Sequence, residues 1–348
     1  MLYINVRERK GFDLTARQRD KSHSADWLNW ANSGLMLAAF GVAYVAPFHL
    51  FLFSYAVLGP LHYSTEISWL HDRGYFLESQ TARRLWLSLV AATLVLLVYG
   101  FVVNELLKQS FSPKYEVGLV YLVLVAACLL RSIRQSSLVA GLLAVSLVLI
   151  AILCNQRAFF VVAYLLVTIV HVLAFTAAFV LYGTLKSRSR SGLISLAVFT
   201  ACHIACLMVP GSIQVPAESV RQAYQPFEIL NSLLGQILGR SQGFIYNSTD
   251  GTAIMRLIAF TYTYHYLNWF SKTSIIGWHD MSLSRGMLII GFWIASMILY
   301  SINYFAGFAV LYSASLLHVL LEFPLNSLTF SGIAREIVSQ RKPTIDQM

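Results

Sequence analysis

Apolar blocks of about twenty residues, the length an α-helix needs to cross a bilayer, recur along almost the whole chain. They leave little room for a water-soluble fold. Only 12% of the 348 residues are charged and 57% are hydrophobic, with a mean hydropathy of +0.64. A soluble domain carries about 25% charged residues. The expected fold is therefore all-α: a polytopic transmembrane helical bundle of about ten spans, with both termini cytoplasmic.

The spans are expected near Trp27–Val45, His49–Leu70, Leu85–Leu107, Val117–Leu130, Leu138–Cys154, Phe159–Leu185, Leu193–Val209, Ala253–Phe270, Met287–Tyr304 and Gly307–Glu322. Gly59-Pro60 should interrupt the second, because proline lacks the N–H that continues a helix. This division gives a basic cytoplasmic tail over 1–26, a bundle over 27–322 and a second tail over 323–348. A basic first stretch without a cleavage site reads as a retained tail and not a signal peptide.

The net charge of +9 would suit nucleic acid if it were clustered, but it is spread through short loops and both tails, where it serves orientation. Arg73, Arg83, Arg84, Arg131, Arg134, Lys186, Arg188, Arg190, Lys272 and Arg285 fall on the side of the termini. The expected partners are accordingly the lipid bilayer and an apolar small-molecule or lipid substrate, with no nucleic acid. A bacterial cytoplasmic membrane is the expected location.

One long loop, 210–252, belongs on the opposite side. Within it Phe227–Leu238 spaces its apolar residues as an amphipathic helix does, lying on the membrane or packed under the loop. The four cysteines, Cys128, Cys154, Cys202 and Cys206, form no CxxC pair and read as small buried hydrophobes.

The polar residues inside the apolar blocks are few and patterned. His62 and Glu66, and again His318 and Glu322, stand four apart, on one face of a helix. His265 lies on a stripe with Thr261, Tyr262, Asn268, Trp269 and Lys272. All three of these spans run toward the cytoplasm, so His62, His265 and His318 fall at similar depth. Ionisable groups at such depth are costly and mark function.

Several imidazoles with few thiolates suit iron, zinc, copper or nickel. The expected metal ligands are His62, His265 and His318, with His171, His71 and His279 as additions. Glu66 and Glu322 complete the coordination or fix the histidine tautomers. The plainer alternative for each histidine is a hydrogen bond between helices. His49 and His203 fall toward the opposite face, and His23 belongs to the tail.

Gly59-Pro60-Leu61-His62 with Glu66, and His318 with Glu322-Phe323, resemble segments of the bacterial Brp/Blh-type membrane carotene dioxygenases. Those are multi-pass proteins whose histidines, on different helices, hold one non-haem iron. Here glutamate stands where that family has aspartate, and proline and leucine are transposed. The resemblance implies Fe(2+), an isoprenoid or lipid substrate and an oxygenase activity.

A second segment, Trp278-His279-Asp280-Met281-Ser282-Leu283-Ser284-Arg285, is similar to one in membrane-bound O-acyltransferases. That resemblance implies acyl transfer, with His318 as general base and His279 positioning the acyl donor. A third alternative is a transporter in which the same groups carry protons or ions.

Overall fold

The computed structural model describes residues 14–77, 79–105, 165–213, 215–240, 245–272 and 281–341, with Val120, Val123 and Gly277. Among the described residues every regular element is helical. The expected spans Val117–Leu130 and Leu138–Cys154 fall outside these residues, apart from the two valines, and so does His279.

The helices are α1 (Leu14–Val45), α2 (Pro47–Phe53), a π turn (Ser54–Leu58), α3 (Gly59–Asp72) and α4 (Gln80–Glu105). After them come a π segment (Leu166–Phe175), α5 (Thr176–Ser187), α6 (Arg190–Met208), α7 (Glu218–Tyr224) and α8 (Glu228–Ile237). The last three are α9 (Thr249–Phe270), α10 (Leu283–Ile302) and α11 (Tyr304–Arg341). Five stretches are long and apolar enough to cross a membrane: Gln80–Val103, Val167–Ser187, Arg190–Met208, Leu283–Ile302 and Tyr304–Ser339.

The helix at the centre is absent from those five. Every residue of α9 from Gly251 to Tyr266 is buried, so its surroundings are other helices on all sides. Several of its polar groups are matched by neighbours: the Thr263 hydroxyl bonds Ser54 at 2.7 Å, Tyr266 bonds Tyr63 at 2.7 Å, and Tyr264 donates to Asn32 at 3.3 Å. A helix enclosed in this way needs partners more than it needs apolarity.

Contacts at the helix ends sort them into two sides. On one side Ser189 Oγ, between α5 and α6, donates to Asp26 of α1 at 2.8 Å. There too Arg285 at the start of α10 grips Asp72 at the end of α3, with both distances 2.6 Å. On the other side Tyr44 of α1 bonds the Pro210 carbonyl, the Arg256 guanidinium lies 4.0 Å over the Tyr44 ring, and Tyr304 bonds the Ala223 carbonyl at 2.6 Å. The side with Ser189 carries Arg73, Lys186 and Arg188.

Two expectations are corrected. Gly59-Pro60 does not interrupt the second segment: the helix continues through it by widening into the π turn Ser54–Leu58. A wider turn accommodates the ring and the missing N–H of Pro60, which would otherwise clash one turn back. Likewise the last helix does not stop at Glu322 but runs through Pro324 to Arg341. Beyond the proline Leu325, Asn326 and Thr329 are buried, and this packing outweighs a proline penalty of about 3 kcal/mol.

The amphipathic helix of the long loop is α8. It turns Leu230, Leu233 and Leu234 inward, leaving Ile229 and Ile237 exposed, so it closes one end of the bundle. Tyr246 fastens it, donating to Glu228 at 2.6 Å. Burial, and then that carboxylate, push the Tyr246 hydroxyl above its ordinary range.

Candidate metal centre

Four histidines and two glutamates meet in the middle of the bundle: His62 and Glu66 from α3, His171 from the π segment, His265 from α9, His318 and Glu322 from α11. All six are between 1% and 5% exposed. The π turn before α3 and the π segment around His171 both change the phase of a helix next to the histidine cluster, a feature common at functional sites. Thr168, inside the second of these, departs from helical geometry at φ −111° and ψ −106°.

The donor atoms form two groups. One atom from each of His62, His265 and His318 lies within 4.8 Å of the others, and the same holds for His171, His318 and Glu322. His62 Nε2 is 3.2 Å from Glu66 Oε2, and His171 Nε2 is 3.3 Å from Glu322 Oε2. Yet His62 Nε2, His171 Nε2 and Glu322 Oε2 make no hydrogen bond. The atoms are close enough for a hydrogen bond, but neither pair forms one.

The rings are held from behind. His318 Nδ1 is 2.9 Å from the Ser315 carbonyl oxygen. A carbonyl only accepts, so Nδ1 carries the proton and Nε2 keeps a free lone pair. His265 Nδ1 is 2.8 Å from Thr176 Oγ1, and when Nδ1–H donates there its Nε2 is free as well. The Tyr63 ring stacks on His318 with centroids 4.8 Å apart. Gly59 permits this, since a Cβ there would come within 2.8 Å of the Tyr63 hydroxyl.

Buried, unpaired carboxylates are strongly disfavoured, and a cation removes the cost. Lys272, just past α9, lies within electrostatic reach of both Glu66 and Glu322. It is one cationic side chain beside two carboxyl groups. Imidazole lone pairs converging beside carboxylates are the donor set of a transition-metal site, and the residues fit a bound ion such as iron or zinc.

A cavity adjoins the cluster. It is lined by His171 and His318 together with Phe51, Tyr55, Tyr262, Tyr266, Phe227 and Leu230. The cavity is small, about 60 Å³. Its lining is mostly apolar and aromatic.

Of the expected ligands, the structure brings together His62, His171, His265 and His318 with Glu66 and Glu322. His71 stands apart, exposed at the end of α3, with its Nδ1 3.4 Å from the Tyr75 hydroxyl. His203 is engaged by the Phe199 carbonyl at 2.7 Å and Thr261 at 3.1 Å. Cys202 and Cys206 are buried free thiols. Thr176 and the Ser315 carbonyl were not identifiable beforehand: nothing in their local sequence ties them to a histidine ring.

Comparison with known proteins finds no matching family model, no matching curated protein and no matching solved structure. The dioxygenase and acyltransferase resemblances therefore rest on their short segments. The acyltransferase one leans on His279, outside the described residues.

Proposed function

We propose that this chain is a multi-pass membrane metalloenzyme, a non-haem iron oxygenase acting on a lipid or isoprenoid-like substrate. One observation carries the reading: His62, His265 and His318, from three helices far apart in sequence, bring donor atoms within 4.8 Å of one another in a buried space.

In this reading those three imidazoles hold the ion. When bound, iron supplies redox chemistry with dioxygen. Ser315 and Thr176 keep the ligand nitrogens deprotonated toward the centre. Glu66 and Glu322 orient the ligand rings and accept protons at their carboxylate oxygens. The aromatic walls of the cavity exclude water and align an apolar chain beside His171 and His318. The substrate and the iron are supported by the mostly apolar cavity lining and the imidazole-rich donor set.

The reading includes ten spans, eight of them built from described helices, with both termini on the side of Lys186 and Arg188 in a bacterial cytoplasmic membrane. Positive residues concentrated on that side support the orientation. A cysteine introduced at Ser189 should be protected from a membrane-impermeant label in intact cells, and one at Ser219 should react. The reverse pattern would overturn the orientation.

Metal analysis of the protein purified in detergent tests the function. At least one iron per chain is expected, depleted in His62→Ala, His265→Ala and His318→Ala while His49→Ala retains the wild-type content. Wild-type protein without transition metal, however it is reconstituted, would sink the proposal.

A further inference from the structure

We infer that the centre holds two metal ions, not one: His62, His265 and Glu66 serve the first, and His171, His318 and Glu322 the second. This rests on the metal reading above and deepens it. His318 belongs geometrically to both groups of converging donors. One nitrogen lone pair serves one ion, so with two ions present Glu66 takes its place in the first set.

Three observations carry the assignment. The first is number. Six buried donors on a single ion would fill every position of an octahedron and leave none for a reacting molecule, whereas catalytic sites keep one open. Three donors each leaves both ions open, and two histidines with one carboxylate is a recognised triad for a redox-active ion.

The second is orientation. His62 faces Glu66 at 3.2 Å and His171 faces Glu322 at 3.3 Å, yet neither Nε2 makes a hydrogen bond. Each pair sets an imidazole nitrogen and a carboxylate oxygen side by side without a hydrogen bond between them, and there are two such pairs. A single ion bound by His62, His265 and His318 makes no use of the His171–Glu322 pair, 3.3 Å apart.

The third is connectivity. Glu66 Oε2 is 3.2 Å from His62 Nε2 in its own set and 3.7 Å from His318 Nε2 in the other. A carboxylate with one histidine of each set beside it is placed to bridge two ions. The repeated His-x-x-x-Glu of α3 and α11 supplies one histidine and one carboxylate to each set, and His265 and His171 complete them.

Co(II) is the probe. Full-length protein, stripped with chelator in detergent, is titrated with Co(II), desalted and analysed for bound metal per chain. Two equivalents are expected in wild type and one in His171→Ala. Glu322→Gln, which preserves side-chain volume, gives the same reading where His171→Ala fails to elute as folded protein. One equivalent in wild type would overturn the second position and leave the metal reading standing. None in wild type would overturn both. Two retained in a folded His171→Ala, or none, would overturn the proposed partition.

Discussion

Thr176→Val isolates the contribution of one hydroxyl to the centre. The Thr176 side chain accepts from, or donates to, His265 Nδ1 at 2.8 Å, and His265 is 5% exposed. Valine fills the same volume, so no water enters to replace the hydroxyl. The metal-binding tautomer of His265 must then keep a buried N–H without an acceptor. Such a group costs about 1–3 kcal/mol, and about 1.4 kcal/mol is a factor of ten in affinity. A loss of roughly 5- to 150-fold in metal affinity follows, in line with the 10–100-fold typical of such outer partners. Competition against a chelator of known affinity, in detergent, measures it. Thr176→Ser restores the hydroxyl and should bind nearly as wild type. A Thr176→Val protein that elutes and melts like wild type yet binds within about twofold of it would refute the argument that this hydroxyl sets the tautomer.

Other outcomes follow from packing. Gly307→Ala should destabilise the protein by about 1–3 kcal/mol or more, because the new Cβ would lie 2.2 Å from the Tyr300 backbone. Gly41→Ala meets nothing within 4 Å, and with alanine's better helix propensity it should leave the melting temperature unchanged or raised. Tyr63→Phe keeps the ring over His318 but removes the 2.7 Å bond to Tyr266; stability should fall by about 1–3 kcal/mol with metal content intact. Arg285→Ala breaks a pair whose side chains are 37% and 53% exposed, so a loss of no more than about 1 kcal/mol is expected. Thermal melts in detergent check all four, with metal analysis alongside for Tyr63→Phe.

The sequence carried the depth of the site more clearly than its architecture. His62, His265 and His318 could be ranked at one level because apolar run lengths and loop charges fix where each helix turns. The His-x-x-x-Glu spacing put each carboxylate on its histidine's face. Which helices touch depends on side-chain packing between segments distant in sequence, and no local pattern encodes that. Thr176 shows the limit: it sits five residues beyond His171 yet serves His265 of another helix. His71 shows the opposite error. It shares a helix with His62, but it lies beyond the buried part of that helix and faces out.

The enclosure of α9 has a consequence for how the protein is made. A translocating segment with Arg256, His265 and Asn268 along its length partitions poorly into lipid on its own, since an arginine alone costs about 2.5 kcal/mol or more at a helix centre. This helix is held by α1, α2, α3 and α6, all of which precede it in the chain. They emerge from the ribosome first and form a cradle whose polar groups are complementary to those of α9. Membrane integration of the central helix and assembly of the histidine cluster are then a single event, and α11, synthesised last, delivers His318 and Glu322 to close it. A nascent chain truncated before α11 would therefore lack His318 and Glu322, two of the three ligands proposed for the second ion.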